Sequence, residues 1–330
     1  MKAIVRHRYG SPDVLRLEEV EKPAPGDNEV LVKVLAASVN PYDWHFMRGT
    51  PHLIRLMAGL RKPRVARLGA DVAGEVEAIG RSVTQFKPPD GVFGTCVGAF
   101  SEYVCVSESA LALKPDTVTF EQAASVPIAA FTALQGLRDR GHIQSGQKVL
   151  INGAAGGVGT FAVQIAKSFG AAVTGVCSTR NVEMVRSIGA DQVIDYTQED
   201  FTKRGRSYDL MLDCIGNHSL SACRRVLKPG GIYIPVGGTT DLWMIRPLAR
   251  SVSAFVLSRF ASQKLIGFFM AKSSKQDLNT IGELMQAGKL TPVIDRRYGL
   301  IEVAEAIRYL EEGHARGKVV ITLEPRHELR

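Results

Sequence analysis

The clearest alternation of apolar and polar positions lies in residues 148–180. Two apolar runs, Val149–Ile151 and Ala172–Cys177, predict buried strands. Between them, apolar residues recur on one face of a predicted helix: Phe161, Ala162, Ile165, Ala166 and Phe169. Gly170 is placed to end that helix. Because a crossover of this length joins parallel strands, the segment predicts a parallel sheet with helices packed on it.

The same alternation continues after residue 180. Further strands are predicted at Gln192–Asp195, Tyr208–Asp213 and Ile232–Val236, and helices at Asn181–Ile188 and Leu220–Leu227. Repeated strand–helix–strand units predict a doubly wound parallel sheet, which binds ligands at the carboxyl ends of its strands. Gly237 and Gly238 follow one such end, where backbone can approach a ligand closely. Lys264–Ala271 is predicted as an edge strand, which could pair with a second subunit.

Residues 1–120 show a different pattern, in which short apolar runs alternate with Gly and Pro. Strands are predicted at Val30–Val39, Val72–Ile79 and Gly98–Val106. Many short strands separated by such turns predict a partly open β barrel.

The two ends of the parallel-sheet region set the predicted domain limits. A helix at Glu121–Arg138 leads into it, and a helix at Glu302–Glu312 follows it. The strand Gly317–Thr322 is then placed to return to the barrel. We therefore expect one domain at 1–120 with 290–330 and a second at 121–289.

The turn after the first parallel strand carries the spacing Gly153-x-x-Gly156-x-x-Gly159. One glycine permits the tight turn, another lets backbone approach a pyrophosphate, and the third lets the helix pack close to the strand. The helix N-terminus then offers N–H groups to the phosphates. The spacing departs from the common Gly-x-Gly-x-x-Gly because Ala155 stands at the middle glycine. A strand before and a helix after it favour a dinucleotide site over a plain turn.

The end of the second parallel strand bears on the choice of dinucleotide. NAD sites usually place an Asp or Glu there for the ribose 2′-hydroxyl, but this chain has Ser178, Thr179 and Arg180, with no acid before Glu183. Hydroxyls and a guanidinium suit a 2′-phosphate, which favours NADP(H). The alternative is that Ser178 or Thr179 caps the next helix and Arg180 is solvated.

Composition and charge argue against some classes of function but do not identify one. The chain has 330 residues, 45% of them hydrophobic, and a formal charge of +8. The basic residues are mostly scattered, so nucleic-acid binding is not expected. Five cysteines with no Cys-x-x-Cys pair indicate reduced thiols and a cytoplasmic location. No signal peptide is expected, and basic residues interrupt the apolar stretch Leu242–Met270 too often for a membrane span.

Several motifs together resemble the medium-chain dehydrogenase/reductase superfamily, in its zinc-free quinone oxidoreductase branch. Within that branch the chain resembles the reticulon-interacting-protein-like NADP-dependent reductases. The motifs are Ser38–Asp43, Gly69–Val76, Gly98–Val104, Gly153–Gly159, Gly189–Asp191 and Gly313–Lys318. The resemblance covers nearly the whole chain and implies a GroES-like partly open β barrel with a doubly wound Rossmann domain.

The resemblance also bears on metal. Zinc-dependent relatives supply cysteine, histidine and cysteine where this chain has Asn40, Ala70 and Ile128. None of these three residues is a usual zinc ligand. The expected reaction is therefore zinc-independent transfer of hydride from NADPH to an electrophilic quinone or α,β-unsaturated carbonyl.

By the same resemblance, a set of residues is expected to hold NADP(H). Asn40, Thr132, Cys214, Gly237, Gly238 and Lys318 are expected near the nicotinamide and its ribose. The pyrophosphate is expected along Gly156, Gly157, Val158 and Gly159, and the adenosine 2′-phosphate end at Ser178, Arg180 and Tyr196.

The proton donor and the function class stay open. Tyr42 and His45 are candidate donors, or they only shape the pocket while solvent supplies the proton. Asp43 is taken as structural or positioning. A second hypothesis is an NADPH-binding sensor or interaction protein with little turnover, and a third is a zinc alcohol dehydrogenase with unusual ligands. A homodimer is possible.

Overall fold

The barrel-like region is built around one long strand. The computed structural model describes residues 1–205, 207–237, 263–267 and 269–323. Its first strands are β1 (Lys2–Val5), β2 (Arg16–Glu19), β3 (Glu29–Val39), β4 (Asp71–Ile79), β5 (Gly91–Thr95), β6 (Tyr103–Ser107) and β7 (Leu111–Leu113). Two helices, α1 (Pro41–Arg48) and α2 (Ile54–Ala58), lie between β3 and β4. Since β3 is apolar on most of its length, it is buried and pairs with several partners.

Two helices and a single π turn replace the one helix predicted at 121–138. They are α3 (Phe120–Ala124), α4 (Pro127–Gln135) and the π turn Gly136–Arg140. The prediction of one continuous helix was wrong because Pro127 has no N–H to bond back along the chain. Pro127 instead occupies the first position of α4, where that N–H has no helical partner in any case.

The parallel sheet follows as β8 (Lys148–Asn152), α5 (Gly157–Ser168), β9 (Ala172–Cys177), α6 (Val182–Ser187), β10 (Gln192–Asp195), β11 (Tyr208–Asp213), α7 (Leu220–Val226), β12 (Leu227–Pro235) and β13 (Lys264–Leu265). Among the described residues, the strand order is β10-β9-β8-β11-β12-β13, and every pair is parallel. The order reverses between β8 and β11, which opens a crevice at their carboxyl ends. The predicted doubly wound sheet is confirmed, with its edge strand β13 shorter than the predicted Lys264–Ala271.

The chain then returns to the barrel through α8 (Lys275–Gln286), β14 (Ile294–Gly299), α9 (Val303–Glu311) and β15 (Lys318–Thr322). Strand β15 pairs antiparallel with the end of β3 and parallel with β14. In the described part of the sheet the order is β14-β15-β3-β4-β5-β7, with β6 also on β3. The predicted return of the last strand to the barrel is confirmed.

The described residues fall into two compact units. The first holds residues 1–128, 273–288 and 292–323, and the second holds most of 129–272 with Lys289–Thr291. Helix α8 belongs to the first unit because it packs against β7. The limits expected from the sequence, 120/121 and 289/290, stay a prediction about domains. No helix within the described ranges has the length and hydropathy needed to cross a membrane.

Candidate functional site

The turn between β8 and α5 is shaped by two glycines. Gly153 has φ of +83°, a conformation that favours glycine. A Cβ on Gly159 would lie 2.0 Å from the Gly153 carbonyl oxygen and 2.8 Å from the Ala154 Cα. Only glycine therefore lets the first turn of α5 approach the end of β8 this closely, as the spacing predicted.

Gly156 lacks a side chain for a different reason. Its φ is −84°, which any residue can adopt. A Cβ there would touch nothing nearer than the Gly153 oxygen, at 3.5 Å. The protein itself would accommodate a side chain, so the glycine keeps open the space before the N-terminus of α5. A dinucleotide pyrophosphate fits such a space, because the first-turn N–H groups of a helix, here those of Gly157, Val158 and Gly159, have no partner within it.

The end of β9 carries hydroxyls and a cation, as predicted. Ser178 stands at the N-cap position of a short 3-10 helix at Thr179–Asn181, but its side chain makes no bond to a backbone N–H there; its Oγ accepts a hydrogen bond from Asn181 Nδ2 at 3.2 Å. Arg180 is exposed at the same turn. Sequence reasoning missed Asp195 at the neighbouring end of β10, whose Oδ2 accepts a bond from Thr179 Oγ1 at 2.6 Å. The Ser178 side chain therefore makes no capping bond, and Arg180 is exposed. The contacts of both residues with a 2′-phosphate stay predictions.

Two further predicted contacts lie in the same unit. Tyr196 follows β10, is 58% exposed, and donates its N–H to the Cys177 carbonyl at 3.0 Å. That bond places an exposed aromatic ring beside the end of β9. Thr132 lies half-buried on α4. Their contacts with a cofactor stay predictions.

A buried carboxylate organises the carboxyl end of β11. Asp213 Oδ1 accepts bonds from Asn152 Nδ2 at 2.9 Å and from the N–H of Gly216 at 2.8 Å, while Tyr233 Oη donates to Oδ2 at 2.7 Å. Asp213 thereby links β8, β11 and β12 beside Cys214. The sequence analysis did not assign this role, although an acid ending an apolar strand was its signal.

Gly237 is required by close backbone packing. A Cβ there would lie 2.1 Å from the Cys214 carbonyl oxygen. The two predicted nicotinamide-side residues Cys214 and Gly237 therefore lie together at this end of the sheet. Gly238, predicted with them, lies outside the described residues.

In the first unit, Lys318, Asn40 and Asp71 form a buried polar network. Lys318 Nζ donates to Asn40 Oδ1 at 2.5 Å and lies 3.6 Å from Asp71 Oδ2. Asn40 Nδ2 and Ser38 Oγ donate to the same oxygen of Asp71, at 2.9 and 2.8 Å. Strand β15 supplies Lys318, the end of β3 supplies Ser38, and β4 begins at Asp71. Sequence reasoning named Asn40 and Lys318 but missed Ser38 and Asp71.

The ionisation of this network is set first by burial. Burial raises the pKa of Asp71, and the Lys318 charge opposes that rise. Burial also lowers the pKa of Lys318, against the pull of Asp71 and Asp43. Asp43 is fully buried, which raises its pKa to about 7, although backbone N–H groups of Asn40 and Gly69 bond its two oxygens. Asp43 thus holds the start of α1, in keeping with a structural role.

The two candidate proton donors differ in burial and in hydrogen bonding. Tyr42 is half-buried, and it lines a cavity with Asp43. Burial raises the pKa of Tyr42, so its hydroxyl stays protonated near neutral pH. His45 is buried, its Nδ1 lies 3.0 Å from the Thr50 carbonyl oxygen, and burial lowers its pKa to about 4. A neutral imidazole that donates from Nδ1 has no second proton, so the geometry favours Tyr42.

Two of the three positions compared with zinc-dependent relatives bond to Asp71 in the polar network, and the third is a buried alanine. Asn40 bonds Asp71 through its amide, Ala70 is buried, and the N–H of Ile128 donates to Asp71 Oδ1 at 3.0 Å. Across the described ranges, no group of three or more His, Cys, Asp or Glu side chains is arranged to hold a metal ion. Zinc independence itself stays a prediction, to be tested by metal analysis.

Comparison with known proteins places these features in a family. The alcohol dehydrogenase GroES-like domain matches residues 26–116, and the zinc-binding dehydrogenase family matches residues 188–321. The NAD(P)H oxidoreductase RTN4IP1, mitochondrial, of Bos taurus is 36% identical, over 98% of this chain and 89% of its own. The NADPH-dependent alkenal/one oxidoreductase, chloroplastic, of Arabidopsis thaliana is 34% identical, over 97% of this chain and 79% of its own.

A solved structure agrees with both sequence relatives. The quinone oxidoreductase from Coxiella burnetii superposes with a TM-score of 0.86 at 31% identity, over 98% of this chain and 99% of that one. The GroES-like barrel and the Rossmann sheet are thus both accounted for by one set of relatives. The chain belongs to the medium-chain dehydrogenase/reductase superfamily, in the branch of its quinone oxidoreductases.

Proposed function

We propose that the protein is an NADPH-dependent, zinc-independent oxidoreductase that transfers hydride to a quinone or an α,β-unsaturated carbonyl compound. The observation that carries this proposal is the open space at Gly156, before the N-terminus of α5 and at the carboxyl end of β8. The names of the relatives, quinone oxidoreductase and NADPH-dependent alkenal/one oxidoreductase, support the acceptor class.

The residues fit the cofactor in separate groups. The first-turn N–H groups of Gly157, Val158 and Gly159 would bind the pyrophosphate, with Gly156 leaving room for it. Ser178 and Arg180 would bind the 2′-phosphate, and the exposed ring of Tyr196 would lie against the adenosine. Bound NADPH supplies a hydride to the acceptor.

The remaining predicted residues are assigned to the nicotinamide end of the cofactor. We assign it Asn40, Thr132, Cys214, Gly237, Gly238 and Lys318. Because Lys318 is only 3% exposed and bonds Asn40 Oδ1, it would act by orienting the Asn40 amide. Tyr42 would donate a proton to the reduced acceptor, while His45 would support the fold of α1 through Thr50.

Replacing Arg180 by alanine is expected to weaken NADPH binding about tenfold to hundredfold and to change NADH binding little. A charge-assisted hydrogen bond to a phosphate is worth roughly 1.5–3 kcal/mol. Titration of each dinucleotide against the purified variant measures the difference. Arg186→Ala, an exposed arginine on α6 that pairs with Glu183, serves as the control. Equal weakening of both dinucleotides would contradict the assignment of Arg180.

Replacing Gly156 by alanine is expected to lower NADPH affinity about tenfold or more with little loss of stability. The new Cβ meets no protein atom nearer than 3.5 Å, so it occupies space that we assign to the cofactor. Losing one or two phosphate hydrogen bonds accounts for that size of effect. Gly205→Ala is the matched control, because nothing lies within 4 Å of its built Cβ. Unchanged NADPH binding in Gly156→Ala would remove the main support for the site.

The direct test is NADPH consumption at 340 nm against quinones, enones, aldehydes and no acceptor, repeated with NADH and with a chelator. Turnover with quinones or enones that prefers NADPH and resists chelation is the expected result. Tight NADPH binding without turnover would instead favour the sensor hypothesis. Chelator-sensitive turnover of alcohols with stoichiometric zinc would favour the alcohol dehydrogenase hypothesis.

We also propose a cytoplasmic homodimer. All five cysteines are free thiols, which suits a reducing compartment. The two-residue edge strand β13 leaves one side of the parallel sheet without a further strand in the described residues, where a second subunit could pair. The printed names of two relatives include mitochondrial and chloroplastic, so cell fractionation is needed for the location. Light scattering of the purified chain tests the dimer.

A further inference from the structure

A cavity of about 220 Å³ lies within the first unit beside Tyr42. Part of its wall is apolar and consists of Phe46, Ala58, Val65, Leu68 and Val97. An engineered apolar cavity of about 150 Å³ holds a benzene ring. This cavity therefore has room for one ring, or a short enone, with a small substituent.

Three arginines line the same cavity: Arg6, Arg64 and Arg67. Within the described ranges, none of the three has a carboxylate within ion-pair distance. The carboxylate in the lining, Asp43, already accepts two backbone N–H bonds. The cavity thus carries more positive charge than its own residues balance.

Arg6 is the most deeply buried of the three arginines that line the cavity. Its side chain is 3% exposed, and its Nη1 donates to the Phe46 carbonyl. Its Nε–H is buried and has no hydrogen-bond partner in the described part of the chain. Burial lowers the pKa of Arg6 only to about 10, so it remains a cation at neutral pH. A buried cation with no carboxylate at ion-pair distance is unfavourable unless an anion is supplied, here at the part of the Arg6 side chain that lines the cavity.

Arg67 and Arg64 extend this positive charge outward. Arg67 is half-buried and Arg64 is exposed, so the three guanidinium groups range from the interior to the surface. A planar guanidinium binds a carboxylate through two parallel hydrogen bonds. The apolar wall would meanwhile contact the uncharged part of the same molecule. An acceptor with an apolar reactive part and one acidic group matches both features.

We propose that the acceptor reduced by this protein carries a carboxylate, bound by Arg6 and Arg67, while its enone or quinone part lies against the apolar wall and Tyr42. This inference rests on the proposed reductase function and narrows its substrate class. Arg64 adds long-range attraction at the exposed side. Neutral acceptors of the same shape are reduced less efficiently.

A pair of acceptors that differ only in charge tests this: 4-oxopent-2-enoate and its methyl ester. Their kcat/KM values with NADPH are measured for the wild type and for Arg67→Gln, Arg64→Gln and Arg61→Gln. We expect the wild type to prefer the acid over the ester. The acid-to-ester ratio should fall about tenfold to hundredfold in Arg67→Gln and less in the exposed Arg64→Gln. Arg61 is an exposed arginine of the same segment that does not line the cavity, so its variant should keep the wild-type ratio.

Inhibition supplies a readout that does not depend on enone turnover. The saturated acid 4-oxopentanoate should compete with a neutral quinone in the wild type, and about tenfold more weakly in Arg67→Gln. If Arg67→Gln fails to fold, Arg64→Gln still reports through both measurements. Two results would overturn the carboxylate inference while leaving the proposed function intact. One is turnover of quinone and ester with no preference for the acid, and the other is an unchanged acid-to-ester ratio of kcat/KM in both Arg67→Gln and Arg64→Gln. No NADPH turnover with quinone, ester or acid would overturn the proposed function, and this inference with it.

Discussion

Replacing Tyr42 by phenylalanine is expected to lower kcat for enone reduction by about a hundredfold or more. General acid catalysis contributes roughly 10²–10⁴-fold, and Tyr42 is the protonated hydroxyl that lines the cavity. Within the described residues its Oη has no hydrogen-bond partner, while its ring packs on Phe46 with centroids 4.3 Å apart. Phenylalanine keeps that packing and removes only the hydroxyl group, and with it the proton to be donated.

The measurement separates proton donation from shaping of the pocket. A lost donor lowers kcat more than it changes KM, and it alters the solvent isotope effect. Tyr103→Phe is the matched control, because Tyr103 is a half-buried tyrosine on β6 that does not line the cavity. A kcat within about threefold of wild type in Tyr42→Phe would mean that solvent supplies the proton.

Replacing Lys318 by methionine is expected to reduce the free energy of unfolding by about 3–5 kcal/mol. Removing one partner of a buried ion pair leaves the other charge uncompensated, and here Asp71 is 0% exposed and Lys318 3%. Asn40 Oδ1 would also lose its donor. Urea unfolding of the full chain measures the change. Lys33→Met, an exposed lysine on β3, should stay within about 0.5 kcal/mol of wild type.

The pH dependence of this variant has a definite sign. Burial already raises the pKa of Asp71, and the Lys318 charge opposes that rise. Without Lys318 the pKa of Asp71 rises further above its unfolded value, so the folded variant favours the protonated acid. Protonation of Asp71 stabilises the folded variant at low pH, and this stabilisation is lost as pH rises through the folded-state pKa of Asp71. The loss in free energy of unfolding that Lys318→Met shows relative to wild type should therefore be smaller at pH 5 than at pH 8. A loss that grows on acidification would refute the pairing of Lys318 with Asp71.

Local pattern was enough to predict the strands and helices of the parallel sheet. The apolar runs at 149–151 and 172–177 and the turn Gly153–Gly159 each form within a few residues, so their sequence determines them. Pro127 was a local signal as well, and it was not used. The strand order, with its reversal between β8 and β11, depends on pairing between distant segments. Periodicity carries no information about such pairing.

The polar network illustrates what pattern alone cannot supply. Asn40 and Lys318 were expected only by resemblance, and nothing in their spacing predicts the bond between them. Asp71 opens an apolar strand, so a buried acid could have been suspected there, but its partners lie on β3 and β15. The sequence analysis gave the three arginines of the cavity no role in binding. Their shared cavity is a property of the folded chain.

The pairing of β15 with β3 has a consequence for how the protein is made. Lys318 lies 278 residues after Asn40, and at about 5–20 residues per second that separation takes about 14–56 s to translate. Until then, the nascent β3 has no β15 beside it and Asp71 has no cation. The strands of the parallel sheet lie in one continuous stretch of sequence, so this sheet can form on the ribosome before β3 pairs with β15. The barrel strands that leave the ribosome first are thus the last to gain all of their partners.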